Sequence, residues 1–220
     1  MTLTLHEHPF ASYCWKALIA LYELELPFEP RLVQDDDDRA RLAELWPMAS
    51  MPVLLDDTSG VIVPQSTTIV EYLDGLGGEP RLVPADAAQA LQARLWDRIS
   101  DAYVMTPMQK IVGDELRPEG RGDPHGVEEA HAALDRAYAM LDTHLAGQPW
   151  LAGATFTLAD CAAAPALYYA RVVHRWEELD LRELTRYFDG LVARPSVARV
   201  IDEARPYRGV FPLPWPDYAE

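Results

Sequence analysis

Ser12, Tyr13 and Cys14 follow a loop signal, His8-Pro9-Phe10-Ala11, and precede an apolar, helix-forming run that reaches Leu24. A hydroxyl at such a loop-to-helix junction has two uses. It caps the helix or, with the positive end of the helix dipole, stabilises an anion brought beside it. Cys14, inside the run, is either a small buried hydrophobe or a nucleophile for disulfide exchange. A second polar pair, Gln65-Ser66, opens another helix after a strand. Helix-start N–H groups and the Ser66 hydroxyl suit a carboxylate, and the Gln65 side-chain carbonyl accepts from an ammonium. No metal is expected. The six histidines show no HxxxH ligand spacing, and the acidic run Asp35 to Asp38 lacks the His or Gly of an ion loop. That run reads as a solvated loop or helix N-terminus. A phosphate-binding glycine loop is also absent.

These residues need elements to hold them. Thr2 to His6 alternates like a half-buried strand, Tyr13 to Leu24 is helical, and Phe28 to Val33 is a second strand. Arg39 to Leu45 is a short helix stopped by Trp46-Pro47. Met51 to Asp57 and Val61 to Val63 form a hairpin through the turn Asp57-Thr58-Ser59-Gly60. The helix Gln65 to Leu73 follows, with Ser66 as its N-cap. The order is β-α-β-α-β-β-α, a small mixed sheet with a right-handed crossover between its first two strands.

Gly75, Gly77, Gly78, Pro80 and Pro84 mark a linker. Beyond it the strand signal disappears. Ala87 to Lys110, Val127 to Ala146, Thr157 to Val173, Leu181 to Ala193 and Ser196 to Ala204 carry helical periodicity. The tail from Pro206 to Glu220 interleaves prolines with aromatic residues, which predicts a non-helical segment packed on the helical part. The expected division is 1–78, a linker at 79–86, and an all-helical domain at 87–220.

The 220 residues carry 19 Lys and Arg against 35 Asp and Glu, a net charge of −16. Nucleic acid is excluded as a partner on this balance, and an anionic membrane surface is disfavoured. No apolar run has the length of a membrane helix, and the first residues lack the basic and apolar regions of a secretory signal. With two cysteines, the chain is expected in a reducing cytoplasm. Seventeen of the cations are Arg, which with the many Ala suggests a bacterial, GC-rich source.

Four segments together resemble the cytosolic glutathione transferases over nearly the whole chain. Ser12-Tyr13-Cys14-Trp15-Lys16 with Leu18 to Leu21 is similar to the active-site loop and first helix of the serine-type classes, the zeta class in particular. Trp46-Pro47-Met48-Ala49-Ser50-Met51-Pro52-Val53-Leu54 is similar to the segment that ends in a cis-proline. Gln65-Ser66 with Ile69, Tyr72 and Leu73 resembles the γ-glutamyl turn and its helix. Phe156-Thr157-Leu158-Ala159-Asp160 resembles the N-capping box of a buried helix in the second domain, a folding element with no chemistry.

The resemblance implies a thioredoxin-like N-terminal domain, a helical C-terminal domain and glutathione as cosubstrate. Ser12 is then the group that holds the thiolate. A free thiol of pKa ~8.5 is only a few per cent ionised near neutrality, and lowering it by about two units takes roughly 2.7 kcal/mol. One charge-assisted hydrogen bond supplies about 1.5–3 kcal/mol, so a single hydroxyl nearly suffices. Met51 and a cis Pro52 would pair the backbone with the tripeptide, and Gln65 and Ser66 would hold its γ-glutamyl end. Relatives often carry Lys where this chain has Ser50, and Lys16, Arg39 or His8 are the stand-ins considered. Phe10, Tyr103, Met105, Met108, Tyr168 and Tyr169 are the expected walls for a second, hydrophobic substrate, with Phe211 or Trp215 from the tail. The reaction expected is addition of the thiolate to a small electrophile. The alternatives are glutathione-dependent cis-trans isomerisation of an unsaturated diacid, thiol-disulfide reduction through Cys14, and binding without catalysis. A homodimer is also implied, with an interface that joins one chain's N-terminal domain to the other chain's helical domain. The segment Ala87 to Lys110 mixes Leu91, Leu95, Trp96 and Ile99 with Arg94, Asp97, Arg98 and Asp101, so that one face packs inward and another meets a partner.

Overall fold

A computed structural model of the chain describes residues 2–77, 81–177 and 179–219. Glu79 and Pro80 of the expected linker, and Gly78 at the expected domain end, lie outside the described residues.

The first unit runs β1 (Leu3–Glu7), α1 (Ser12–Glu23), β2 (Glu29–Leu32), α2 (Asp36–Leu45), β3 (Val53–Asp56), β4 (Val61–Pro64) and α3 (Ser66–Leu76). Its sheet has the order β2-β1-β3-β4, with β1 and β2 parallel and both other pairings antiparallel. This is the thioredoxin-like arrangement. Leu3 and Leu5 point from β1 into the core that Trp15, Leu18, Ile69 and Leu73 share. The acidic run begins α2 earlier than the apolar pattern suggests. Asp35 is the N-cap, accepting from the Asp38 N–H, and Asp36 to Asp38 fill a first turn where negative charge is favoured.

The helical unit holds α4 (Ala87–Ile99), a π-helical turn (Ser100–Met105), α5 (Thr106–Glu115), α6 (Pro124–His144), α7 (Leu158–Val173), α8 (Arg182–Val192) and α9 (Pro195–Ala204). The single helix expected up to Lys110 is thus interrupted and ends later, at Glu115. Pro107 has no N–H to give the preceding turn, and the Thr106 hydroxyl instead donates to the Asp101 carbonyl, 3.0 Å away. α7 is buried along most of its length and opens with the expected capping box. The Thr157 hydroxyl accepts from Ala159 N–H, and Asp160 accepts from Thr157 N–H at 2.8 Å. Asp160 also takes the Tyr187 hydroxyl at 2.7 Å and the Leu151 N–H at 3.0 Å, which ties α8 and the α6–α7 connection to the same carboxylate.

The tail is not wholly irregular, contrary to expectation. A 3-10 segment, Arg205–Val210, continues from α9, and another covers Asp217–Ala219. Pro206 is tolerated because it stands at the start of the first segment, where its missing N–H leaves nothing unpaired. Phe211 and Trp215 then cross to Phe10, with ring centroids 6.1 and 6.0 Å away. The tail therefore packs on both units. Among the described residues, no helix is long and apolar enough to cross a membrane.

Candidate functional site

Two cavities open side by side between the units. The polar one, about 560 Å³, is lined by Ser50, Met51, Pro52, Gln65, Ser66, Thr67 and Thr68 from the first unit and by Asp97, Arg98 and Asp101 from the second. The apolar one, about 500 Å³, lies between the start of α1, the α5 helix and the tail. Tyr13 and Met51 line both. Cavities of this size suit small-molecule ligands, and a contact between domains is a usual place for them.

The polar cavity is built on two special stretches of backbone. The Met51–Pro52 peptide bond is cis, as the resemblance implied. Gln65, not Ser66, is the N-cap of α3, and its φ of 73° with ψ of 120° is a conformation side-chain-bearing residues rarely adopt. Such a position is retained at a cost of about 1–3 kcal/mol where the surroundings impose it. Here it turns the chain from β4 into α3 and sets Gln65 and Ser66 on the cavity wall. The first intrahelical bond of α3 runs from Ile69 N–H to Gln65 C=O, so the N–H groups of Ser66, Thr67 and Thr68 have no helical partner. All three residues line the cavity, a ready seat for a carboxylate.

Ser12 is the first residue of α1, after the N-cap Ala11, which has no side-chain cap to offer. The capping role open to Ser12 from sequence therefore falls away. No described residue hydrogen-bonds its hydroxyl, and it lines the apolar cavity beside Tyr13. The N–H groups of Ser12 and Tyr13 precede the first bonded amide, Cys14, whose N–H reaches Ala11 C=O at 2.9 Å. Hydroxyl and helix start thus converge where the two cavities meet, a suitable place for an anion.

Cys14 points the other way. It is fully buried, and desolvation pushes its thiol well above the ordinary range. A thiol without access to solvent and held in its neutral form is a poor partner for disulfide exchange, which weighs against the reductase alternative. Cys161 is equally buried.

Of the expected walls for the second substrate, Phe10, Met108 and Tyr169 line the apolar cavity. Tyr169 also donates to the Phe10 carbonyl at 2.9 Å, which fixes the loop before Ser12. The other three do not line it. Met105 faces the core, Tyr168 is wedged between Trp15 and Trp215, and Tyr103 stands 60% exposed on the outer surface. The π-helical turn changes the angular spacing, so a constant helical period misplaces Tyr103 and Met105. Of the two tail residues expected, Phe211 lines it and Trp215 does not; Gln109, Val112 and Gly113 of α5, Leu116 at its C-cap, and Val210 and Pro212 of the tail complete the wall. Among the described residues, none that lines this cavity is charged.

None of the three stand-ins for the missing lysine lines the polar cavity. Lys16 is buried and committed to acceptors, His8 accepts from Phe10 N–H, and Arg39 is exposed on α2. Ser50 does line it, with its hydroxyl accepting from Trp46 Nε1 at 3.2 Å. The cation on the wall is Arg98, next to Asp97 and Asp101. Sequence periodicity assigned these three to a helix of mixed faces; Asp97 lies with Ala93 and Trp96 on the buried side of α4, Asp101 is half-buried in the π-helical turn, and Arg98 is exposed at the cavity mouth. Among the described residues, no group of three or more His, Cys, Asp or Glu is arranged to hold a metal ion.

Comparison with known proteins gives this geometry a family. Residues 5–81 match the glutathione S-transferase N-terminal domain, and residues 124–202 the C-terminal domain. Glutathione S-transferase GstB of Escherichia coli K12 is 30% identical over 192 residues, which cover 84% of this chain and 91% of that protein. A glutathione S-transferase from Methylobacillus flagellatus, solved with glutathione bound, superposes with a TM-score of 0.81 at 25% identity over 90% of this chain and 98% of that one. The probable elongation factor 1-gamma 1 of Arabidopsis thaliana is 25% identical over 97% of this chain, which spans 52% of that protein. The chain belongs to the glutathione S-transferase family.

Proposed function

We propose that the protein binds glutathione in the polar cavity and activates its thiolate at the start of α1 for attack on a small, uncharged, hydrophobic electrophile in the apolar cavity. The observation that carries this is the junction of the two cavities at Tyr13 and Met51, beside an unbonded Ser12 hydroxyl and the open amides of α1. An extended tripeptide along Met51-Pro52 would place its γ-glutamyl carboxylate on the α3 start and its ammonium near Gln65, Asp97 and Asp101. Arg98 is the cation on this wall available to a carboxylate. Ser12 donates to the thiolate, and the helix dipole adds to it.

That no described residue lining the second cavity is charged favours conjugation over isomerisation of a diacid, whose two carboxylates would meet no cation among them. Ser12 and the open helix start favour catalysis over binding alone. No step requires a metal. We place the domains at 1–78 and 87–220, joined by 79–86, and the enzyme in the cytoplasm as a homodimer.

Calorimetric titration with glutathione, followed by a conjugation assay against uncharged aromatic halides and an unsaturated diacid, tests the reading. Binding with turnover of the halides supports it. Binding with turnover of the diacid alone would replace it with the isomerase.

A further inference from the structure

Lys16 lies one turn beyond Ser12 on α1 and is 1% exposed. Lysines are rarely buried so fully unless paired. This ammonium has three N–H bonds and three acceptors: Thr67 Oγ1 at 2.7 Å, Asp97 Oδ1 at 2.5 Å and Asp101 Oδ2 at 3.0 Å. Thr67 belongs to the first turn of α3, Asp97 to α4 and Asp101 to the π-helical turn. Thr67 in turn donates to Asp97, 3.1 Å away. One buried atom thus ties the helix that presents Ser12 to the helix start that presents Gln65 and Ser66, and to the facing wall of the polar cavity.

The charges matter as much as the ties. With both carboxylates ionised, the one ammonium leaves the cluster a net charge of −1; burial first, and Asp101 beside it, raise the Asp97 carboxyl, while Lys16 and Thr67 lower it. Its field reaches the junction of the cavities. Burial first, then Asp101, raises the Tyr13 phenol above its ordinary value, with Asp97 adding to the rise and Arg98 opposing it. An anion held beside Tyr13 and Ser12 meets the same carboxylates. Without Lys16 it would face both at full charge. The buried thiol of Cys161 on α7 also lies in the field of the ammonium.

On the reading that glutathione fills this cavity, we propose that Lys16 is a positioning residue that holds α1 and α3 together and cancels one of the two carboxylate charges opposing a thiolate where the cavities meet. It lines neither cavity and acts through Thr67, Asp97 and Asp101.

The test is a pH titration of the thiolate absorbance of bound glutathione in a set of variants. Lys16→Met should lower the thiolate fraction near neutral pH about tenfold, and Lys16→Arg should recover most of it. The double variant Lys16→Met, Asp101→Asn returns the cluster to −1 and should also recover it, although the ties through Lys16 stay broken. Asp101→Asn alone leaves Lys16 in place and keeps the test open if Lys16→Met does not fold. It makes the cluster neutral and should raise the thiolate fraction. An unchanged titration in folded Lys16→Met, or in Asp101→Asn, overturns the proposal while the functional reading stands. A wild-type protein that binds no glutathione overturns both.

Discussion

Tyr13 and Met51 form the shared wall of the two cavities, one from the first turn of α1 and the other from the peptide before the cis-proline. A ligand that runs along Met51 into the polar cavity therefore ends against Tyr13 and beside Ser12, facing an apolar space.

This geometry assigns Ser12 to the transition state more than to binding. Ser12→Ala should lower turnover by about 10–100-fold and leave glutathione affinity nearly unchanged, because the hydroxyl matters mainly to the anion. Steady-state kinetics beside calorimetry reads both. Full turnover in Ser12→Ala with loss in Tyr13→Phe would move the donor to the neighbouring phenol.

Gln65 couples local strain to function. Gln65→Gly relaxes the positive φ, so stability should hold or rise by up to about 1 kcal/mol. Affinity for glutathione should fall by ~1–3 kcal/mol, since a polar partner is lost in a partly closed site. Thermal denaturation and calorimetry on the same samples separate the two effects. Parallel losses in stability and affinity would mean that the side chain is structural.

Glu7 makes stability depend on pH. It ends β1, is 3% exposed, and its Oε2 has no hydrogen-bond partner among the described residues. Burial, followed by the nearby Glu203 of α9, pushes the carboxyl up to about 7; the thiol of Cys14 and the phenol of Tyr22 on α1 also feel its charge. The folded state therefore retains a proton that the unfolded chain, near 4.5, has already lost. The stability contributed by the protonated form is present at low pH and is lost as pH rises from about 4.5 through about 7. Glu7→Gln should raise Tm by a few degrees near pH 8 and leave it unchanged near pH 4.5. Equal gains at both values would point to packing instead.

The helical unit exposes several large apolar side chains. Leu91 and Leu95, one turn apart on α4, are 64% and 45% exposed, and Tyr103 and Met140, which line one shallow depression, are exposed as well. The face of α4 toward the core is instead Ala90, Ala93, Trp96 and Asp97. Exposure of this kind suits a two-fold partner despite the −16 charge, because charge repulsion is screened beyond ~8 Å at physiological salt. Light scattering should give about 49 kDa, twice the 24.7 kDa chain. Leu91→Glu with Tyr103→Glu should halve that mass. A wild-type monomer at micromolar concentration would refute the dimer.

The first unit was legible from sequence because its signals are local. Strand alternation in Leu3 to Glu7, Pro52 before a strand and Gln65-Ser66 before a helix each stand within a few residues of what they position. The capping box at Thr157 and Asp160 is local too, although its further partners Leu151 and Tyr187 are not. What stayed hidden depends on long-range packing or on a change of helical period. The π-helical turn rotates Tyr103 outward and Met105 into the core, which no constant spacing anticipates. Asp97 and Asp101 read as surface charge until Lys16 of α1 and Thr67 of α3 are brought against them. Lys16, in an otherwise apolar stretch, found its acceptors on elements far along the chain.

The central claim is that this protein ionises the thiol of glutathione at the start of α1. The direct measurement is the thiolate absorbance of glutathione bound to the wild-type protein, followed over roughly pH 5 to 9. The account predicts a midpoint about two units below that of the free thiol, at ~6.5. A midpoint that stays near the free value of ~8.5 while glutathione is bound would contradict it.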